Sequence, residues 1–143
     1  MNFANVNFLA IFSAAVAAWF FGAAYYGLLG KSWIAALGET TETFKQKQAG
    51  KAGLEKIAPF IISFVAELIM AYVLYGLLVH LGAFTVRAGI ISGALCWLGF
   101  ILTTIMVNNV YPGRKVMLTV IDSGHWLGVL VILGAIIGWM GPR

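Results

Sequence analysis

Long apolar segments alternate along the chain with short stretches that hold almost all of its charged residues. A membrane-spanning helix needs about 20 consecutive, mostly apolar residues. The pattern therefore predicts four transmembrane helices in a single membrane domain, residues 1–143, with a long polar loop at 30–57. The predicted spans are residues 6–29, 58–81, 88–110 and 116–140. Glu67 and Asp122 are the only charged residues inside these spans, and all nine Lys and Arg residues lie outside them.

The composition favours a membrane protein of the all-α class. Hydrophobic residues make up 62% of the 143 residues and charged residues 10%, whereas soluble domains are about half apolar and a quarter charged. A soluble domain of this length has too little interior to bury so much apolar surface. Helices satisfy their own backbone hydrogen bonds in lipid, and the alternating strands of a membrane barrel do not occur in the pattern. We expect a compact four-helix bundle with the lipid bilayer as its partner.

Basic residues are distributed unequally between the two ends of the predicted bundle. Seven lie in the loops at 30–57 and 108–115, whereas only Arg87 and Arg143 lie on the other side. Since Lys and Arg accumulate in cytoplasmic loops, both termini are predicted on the non-cytoplasmic side of the membrane, in the periplasm or the exterior. Basic loops beside an anionic leaflet explain the net charge of +4, so nucleic acid is not an expected partner.

The loop at 30–57 is the only sizeable polar segment. Trp33 suits a short interfacial segment at its start, and Thr40 or Thr41 is predicted to cap a short helix with Glu42 in its first turn. The loop contains no phosphate-binding motif or nucleophile elbow, and the chain shows no spacing typical of metal ligands. We therefore expect a protein that is not an enzyme and that binds no cofactor or metal.

Three ionisable side chains are predicted to lie at similar depths in the membrane. With a rise of 1.5 Å per residue, Glu67 and His125 both lie roughly 13 Å from the cytoplasmic ends of their spans, and Asp122 lies about 9 Å deep. Asp122 and His125 are three residues apart and therefore share a helix face. These three residues form the predicted transport or proton site, in which His125 is the partner of Glu67.

Other polar side chains are predicted to support this site from the same half of the membrane. Thr103, Thr104 and Asn108 lie towards the cytoplasmic end of the third span, and Tyr25 and Tyr26 lie towards that of the first. The alternative role for the third-span residues is packing, because polar side chains join membrane helices through hydrogen bonds.

The position of the acids allows both a functional and a structural interpretation. An ionised acid near the centre of a membrane helix costs about 2.5–3.5 kcal/mol, so Glu67 and Asp122 are expected to face the bundle interior and each other. A carboxyl group beside an imidazole can hold or pass a proton near neutral pH. In the structural alternative, these side chains only join helices, at about 0.6–2 kcal/mol per contact, or Asp122 caps a fourth helix that begins late.

Small residues recur at intervals of four in three of the predicted spans. The series are Ala14, Ala18 and Gly22; Gly89 and Gly93; Gly124 and Gly128; and Gly134 and Gly138. This spacing lets helix backbones approach closely. It predicts tight packing and a homo-oligomer, with a dimer favoured, or membership of a larger membrane complex. The alternative is that Gly and Ala are simply common in membrane helices.

Four stretches of the chain together resemble a known family. They are AAYYGLLGKSW, PFIISFVAELIMAYVL, GALCWLGFILTTIMVNNVYPGRK and LTVIDSGHWLGVLVILGAIIGWM. Over nearly its whole length, the chain resembles the bacterial membrane family called domain of unknown function 1761. The resemblance implies a four-helix membrane fold and no established activity. It also implies Asn-Ala-Gly before His125, where this chain has Asp-Ser-Gly. Asp122 is therefore a less secure feature of the family than His125.

The sequence leaves two functions open. The first is a small homo-oligomeric transporter or channel, with or without proton coupling, whose substrate is an unknown small molecule or ion. The alternative is a structural or accessory membrane subunit in which the intramembrane polar residues only fix helix packing.

Overall fold

The computed structural model describes residues 6–142, which form helices joined by turns. The helices are α1 (Phe8–Ala36), α2 (Thr41–Ala49), α3 (Leu54–Leu81), α4 (Val86–Cys96), α5 (Thr103–Val110) and α6 (Val116–Met140). A π-helical segment, Trp97–Leu102, joins α4 to α5 without a break. Residues 6–142 contain no strand, and the prediction of an all-α fold is confirmed.

Four helices in the described part of the chain are long and apolar enough to cross a membrane. They are α1, α3, α6 and the continuous helix Val86–Val110, which consists of α4, the π-helical segment and α5. The predicted number of long apolar helices is therefore confirmed. The compact shape of the bundle and the side of the membrane on which the termini lie stay predictions.

The first helix continues about two turns beyond the predicted end of its span. The sequence predicts a separate interfacial segment around Trp33, whereas the structure keeps these residues in α1. Packing explains the difference, because Ala36 is buried against Leu118 and Ile121 of α6. Trp33 also donates a hydrogen bond to α6. The start of α6 therefore stabilises the last turns of α1.

The short helix in the polar loop begins as the sequence predicts. The Thr40 hydroxyl accepts a hydrogen bond from the Thr43 N–H at 3.2 Å, and the Thr43 hydroxyl accepts one from the Thr40 N–H at 3.1 Å. This reciprocal arrangement satisfies two N–H groups at the helix start. Phe44 packs edge-on against Trp33, with 5.8 Å between ring centroids. This ring contact holds α2 against α1.

The main core lies where α1, α3 and α6 meet. α1 contributes small side chains, and Ala14 and Ala18 are fully buried. α3 contributes Leu78 and α6 contributes Leu133, both without exposed surface. Because small side chains let neighbouring backbones approach, α6 lies close to α1 and brings its polar residues near those of α1.

Glycines form the contact between α4 and α6. A Cβ atom on Gly89 would lie 1.8 Å from the Gly134 carbonyl oxygen, and one on Gly134 would lie 2.1 Å from that of Gly89. Cβ atoms on Gly93 and Gly138 would lie 2.4 and 2.2 Å from carbonyl oxygens across the same interface. These spaced glycines thus make contacts within one chain. They give no support to a homo-oligomer, which stays a prediction.

Asn7 connects three parts of the chain at the start of α1. Its side-chain oxygen accepts a hydrogen bond from the Ala10 N–H at 3.1 Å, and its Nδ2 donates to the Gly141 carbonyl at 3.0 Å. Its backbone N–H donates to the Tyr75 hydroxyl at 3.1 Å. Asn7 therefore caps α1 and links it to α3 and to the end of α6.

We expect Asn7→Ala to lower the free energy of unfolding by about 1–2 kcal/mol, because the substitution removes a helix cap. It also removes the Nδ2 group that donates a hydrogen bond to the Gly141 carbonyl oxygen. Thermal unfolding in detergent, followed by circular dichroism, measures the change. Asn7→Ser is the matched control, since a Ser hydroxyl can still accept the capping hydrogen bond from Ala10 but cannot replace the Nδ2 donor to Gly141. Equal losses for the two variants would contradict a capping role.

Candidate functional site

A cavity of about 340 Å³ lies between α1, α3 and α6. α6 contributes His125 to its lining. The main lining residues from α1 and α3 are Trp19, Gly22, Tyr26, Phe60, Ser63 and Glu67. The volume falls within the range of about 300–1,000 Å³ that is typical of small-molecule sites. The structure thus brings the two residues of the predicted proton pair, Glu67 and His125, to one cavity.

Glu67 lies in the middle of α3 with its carboxyl group buried. The residue is 2% exposed, and its Oε2 atom has no hydrogen-bond partner. A buried polar atom without a partner costs about 1–3 kcal/mol, and more when the group is charged. A proton, a water molecule or a bound ligand in the cavity would offset this cost.

His125 lies among aromatic rings on the α6 side of the cavity. Its ring stacks on Phe21 at 11° with 6.2 Å between centroids, and the centroids of Tyr26 and Trp126 lie 4.8 and 4.9 Å away. The residue is 6% exposed, and its Nδ1 atom has no hydrogen-bond partner. Gly22 makes room for the ring, because a Cβ atom there would lie 2.8 Å from Nε2 of His125. The site therefore contains two buried polar atoms without partners.

Trp19 fixes the wall of the cavity between α1 and α3. Its Nε1 donates to the Phe60 carbonyl oxygen and to the Ser63 hydroxyl, each at 3.2 Å. Ser63 in turn donates to the Phe60 carbonyl at 2.9 Å. None of these three residues was predicted from the sequence. A signal existed for Ser63, which precedes Glu67 by four positions and therefore shares its helix face.

Asp122 occupies a different place from the one predicted. Its Oδ1 accepts hydrogen bonds from the Tyr26 hydroxyl and from Nε1 of Trp33, each at 3.0 Å. α6 already begins at Val116, so Asp122 lies inside the helix and does not cap it. It is not among the residues that line the cavity. The expectation that both acids face each other is thus corrected, since Asp122 binds Tyr26 and Trp33 of α1 and does not line the cavity that contains Glu67.

We expect Asp122→Ala to lower the free energy of unfolding by about 1–3 kcal/mol, because two half-buried donors, Tyr26 and Trp33, lose their acceptor. Asp122→Asn is the matched control, since its side-chain oxygen can still accept both hydrogen bonds. Chemical unfolding in mixed detergent micelles, followed by Trp fluorescence, measures both variants. If Asp122→Asn lost as much stability as Asp122→Ala, the negative charge and not the acceptor would stabilise this contact.

The two tyrosines of the predicted supporting group lie at and beside the cavity. Tyr26 lines the cavity and donates to Asp122. Tyr25 donates to the Ile121 carbonyl oxygen at 2.9 Å, and its ring centroid lies 5.6 Å from that of His125. Tyr26 is therefore part of the site, whereas Tyr25 joins α1 to α6 next to it.

The third-span residues of the predicted supporting group lie elsewhere. Thr103, Thr104 and Asn108 are exposed and do not line the cavity. The hydroxyls of Thr103 and Thr104 donate to carbonyl oxygens of the π-helical segment, at 2.9 Å to Gly99 and 2.5 Å to Phe100. The hydrogen-bond pattern of a π-helix differs from that of an α-helix, and these hydroxyls supply additional donors there. The predicted supporting role is corrected accordingly.

Two further cavities adjoin the site. The first, which we call the apolar groove, has a volume of about 450 Å³ and shares Trp19 and Phe60 with the site. Its other lining residues are Val16, Phe20, Ile57, Ile61 and Phe64. The second, which we call the basic vestibule, has a volume of about 680 Å³ and shares Tyr26 and Phe60 with the site. Its further lining residues include Trp33, Phe44, Gln48, Lys51 and Lys56. The site thus adjoins both an apolar and a basic surface.

Within residues 6–142, no group of three or more His, Cys, Asp or Glu side chains is arranged to hold a metal ion. The titratable side chains that line the cavity are a carboxyl, an imidazole and a phenol group. A carboxyl group can hold a proton or an ionic ligand, and an imidazole nitrogen can donate or accept a hydrogen bond.

Comparison with known proteins identifies a family but no activity. The family model described as "Protein of unknown function (DUF1761)" matches residues 9–138, which include nearly all of the four apolar helices and the cavity. No curated protein and no solved structure matches the chain.

Proposed function

Because the chain belongs to the DUF1761 family of proteins of unknown function, we propose from its own site that it is a proton-linked membrane transporter of a small molecule. Glu67 and His125 form the binding site in this proposal. The four apolar helices support a membrane location, which we propose to be the bacterial inner membrane with the basic loops in the cytoplasm.

One observation carries this proposal. Glu67 Oε2 and His125 Nδ1 are both buried without hydrogen-bond partners, and both residues line the same cavity of about 340 Å³. Residues that only join helices would satisfy each other, because an unpaired buried polar atom is destabilising. Ionisable groups inside a membrane commonly mark substrate or proton pathways. A site that binds protons and substrate in turn explains why these atoms are left unpaired.

The site suggests a simple exchange mechanism. With a proton bound, Glu67 is neutral and stable in the apolar interior. When the proton leaves, the carboxylate requires a partner in the cavity, and a bound substrate supplies it. His125, which lines the same cavity, provides a second hydrogen-bonding group that can take up or return a proton. The Glu67 carboxyl group thus binds either a proton or a substrate molecule at one time. This alternation couples the movement of protons to that of substrate.

The experiment uses purified protein in liposomes that contain a pH-sensitive dye. A panel with one organic cation, one organic anion and one neutral solute is added outside, and the internal pH is recorded. We expect at least one solute to change the internal pH, and we expect Glu67→Gln to abolish this change while its melting temperature stays near that of the unmodified protein. Absence of any protein-dependent flux would overturn the proposal.

A structural or accessory subunit is the second candidate, and a specific observation favours it. Asp122, Tyr25 and Trp97 all make hydrogen bonds between helices, at 2.7–3.0 Å. These polar groups act as contacts that fix helix packing. In this alternative, Glu67→Leu would change only stability, and both the unmodified protein and the variant would lack flux in the liposome assay.

A further inference from the structure

We propose that the cavity binds an organic cation with apolar substituents, such as a quaternary ammonium or a protonated amine. The inference rests on the proposed function, because it names the substrate class for the same site. It follows from the combination of aromatic walls and one unpaired carboxyl group.

The walls of the cavity are rich in aromatic rings. Trp19, Tyr26 and Phe60 present three aromatic side chains to one space. The faces of aromatic rings attract cations, and groups of such rings are used to recognise quaternary ammonium ligands. The Trp19 ring is held in place by its hydrogen bonds to Phe60 and Ser63. The walls are therefore both apolar and favourable to positive charge.

The charged side chains that line the cavity favour a cation. Glu67 is the only acid among the described residues that line the cavity, and no Lys or Arg lines it. Its Oε2 atom is buried and unpaired. A cation in the cavity would pair with the carboxylate in a region where little water weakens the attraction. An anion would instead meet a like charge or require Glu67 to be protonated.

The two surfaces that adjoin the cavity favour one route of entry for a cation. The apolar groove shares Trp19 and Phe60 with the site and is lined only by apolar and aromatic residues. The basic vestibule, which also adjoins the site, carries Lys51 and Lys56, which repel a cation. A cation with apolar substituents would therefore reach Glu67 along the groove, from the part of the surface that faces lipid.

Protons compete with the cation at Glu67 in this arrangement. The titratable groups that line the cavity are Glu67 on α3, Tyr26 on α1 and His125 on α6. Lys51 and Lys56 lie in the basic vestibule, and Asp122 is bonded to the Tyr26 hydroxyl. The carboxyl group can bind one proton or one monovalent cation. Release of the proton on cation binding balances the charge and supplies the coupling.

The test measures binding to protein in lipid nanodiscs by calorimetry, with benzyltrimethylammonium as the probe. Neopentylbenzene is its uncharged isostere, and phenylacetate is an anion of related shape. We expect the cation to bind at least about tenfold more tightly than either compound, since a charge-assisted contact to Glu67 is available only to it. We also expect its affinity to fall as the pH is lowered. Equal affinity for the isostere, or tighter binding of phenylacetate, would overturn the proposal.

Variants of Glu67 and Trp19 test which side chains bind the cation. Glu67→Gln should weaken cation binding at least about tenfold, and Trp19→Leu should weaken it about threefold to thirtyfold through loss of a ring face. Glu55→Gln is the matched control, because Glu55 is an exposed acid on the same helix, and it should bind normally. Unchanged binding by both Glu67→Gln and Trp19→Leu would place the cation elsewhere and overturn the proposal.

Binding and transport are measured separately, so the two proposals can fail independently. Cation binding that depends on Glu67, without flux in liposomes, would support the ligand class and reject the transporter. Flux that depends on Glu67 but responds only to the anion or the neutral solute would support the transporter and reject the cation.

Discussion

We expect Gly89→Ala to lower the free energy of unfolding by about 2–4 kcal/mol, because overpacking a close contact forces the backbone to move. The new methyl group would lie 1.8 Å from the Gly134 carbonyl oxygen on α6. A carbonyl in the middle of a helix cannot move aside as a flexible side chain can. α4 must therefore separate from α6 along the line of glycines that includes Gly93 and Gly138.

Gly99→Ala is the control for this substitution. Gly99 lies in the same membrane-spanning helix, and a Cβ atom there would meet nothing within 4 Å. It should be neutral or slightly stabilising, since Ala is the better helix former by about 1 kcal/mol. Unfolding of both variants in mixed detergent micelles measures the difference. Similar stabilities for Gly89→Ala and Gly99→Ala would contradict close packing of α4 on α6.

We expect Gly22→Ala to weaken binding of the cation probe and to slow flux by about tenfold, because small displacements of a binding group have large effects. The added methyl group would lie 2.8 Å from Nε2 of His125. The imidazole ring must therefore shift away from α1, and the cavity loses volume. The substitution changes neither Glu67 nor His125, so it tests the geometry of the site without removing a titratable group.

Gly27→Ala is the matched control on the same helix, since a Cβ atom at Gly27 meets nothing within 4 Å. It should bind and transport like the unmodified protein. Calorimetry in nanodiscs gives the binding constants, and the liposome assay gives the rates. Normal activity of Gly22→Ala would show that the position of His125 does not matter and would remove it from the site. Loss of activity in both variants would point to a general defect of α1.

The apolar pattern predicts the four long helices well, because length and hydrophobicity in a membrane depend on local sequence. The pattern fails where a tertiary contact decides the outcome. α1 extends to Ala36 because α6 packs against it, and nothing in the residues around Trp33 shows this contact. The π-helical segment between α4 and α5 also has no clear signal in the sequence.

The position of a residue along its helix can be read from the sequence, whereas the direction of its side chain around the helix cannot. Glu67 and His125 were predicted to lie together, and they line one cavity. Asp122 was predicted near them, but it accepts hydrogen bonds from Tyr26 and Trp33. Two residues three apart differ by about 60° around a helix, which is enough to place them in different surroundings.

Two of the aromatic residues of the site could not be predicted for a different reason. Trp19 and Phe60 belong to segments rich in aromatic and apolar residues, and such residues usually face lipid or the core. Only the crossing of α1 and α3 selects these two as walls of a cavity, whereas Tyr26 was predicted as a supporting residue of the site and lines it. For the spaced glycines, the sequence predicted close packing correctly. The contacts that they make lie within one chain.

A density map of the protein in lipid nanodiscs, at a resolution that shows ordered water, examines the cavity most directly. We expect density for water or a bound molecule within hydrogen-bonding distance of both Glu67 Oε2 and His125 Nδ1. Glu67 in contact with acyl chains, or a cavity filled by a lipid tail with neither polar atom paired, would contradict a polar binding site between α1, α3 and α6.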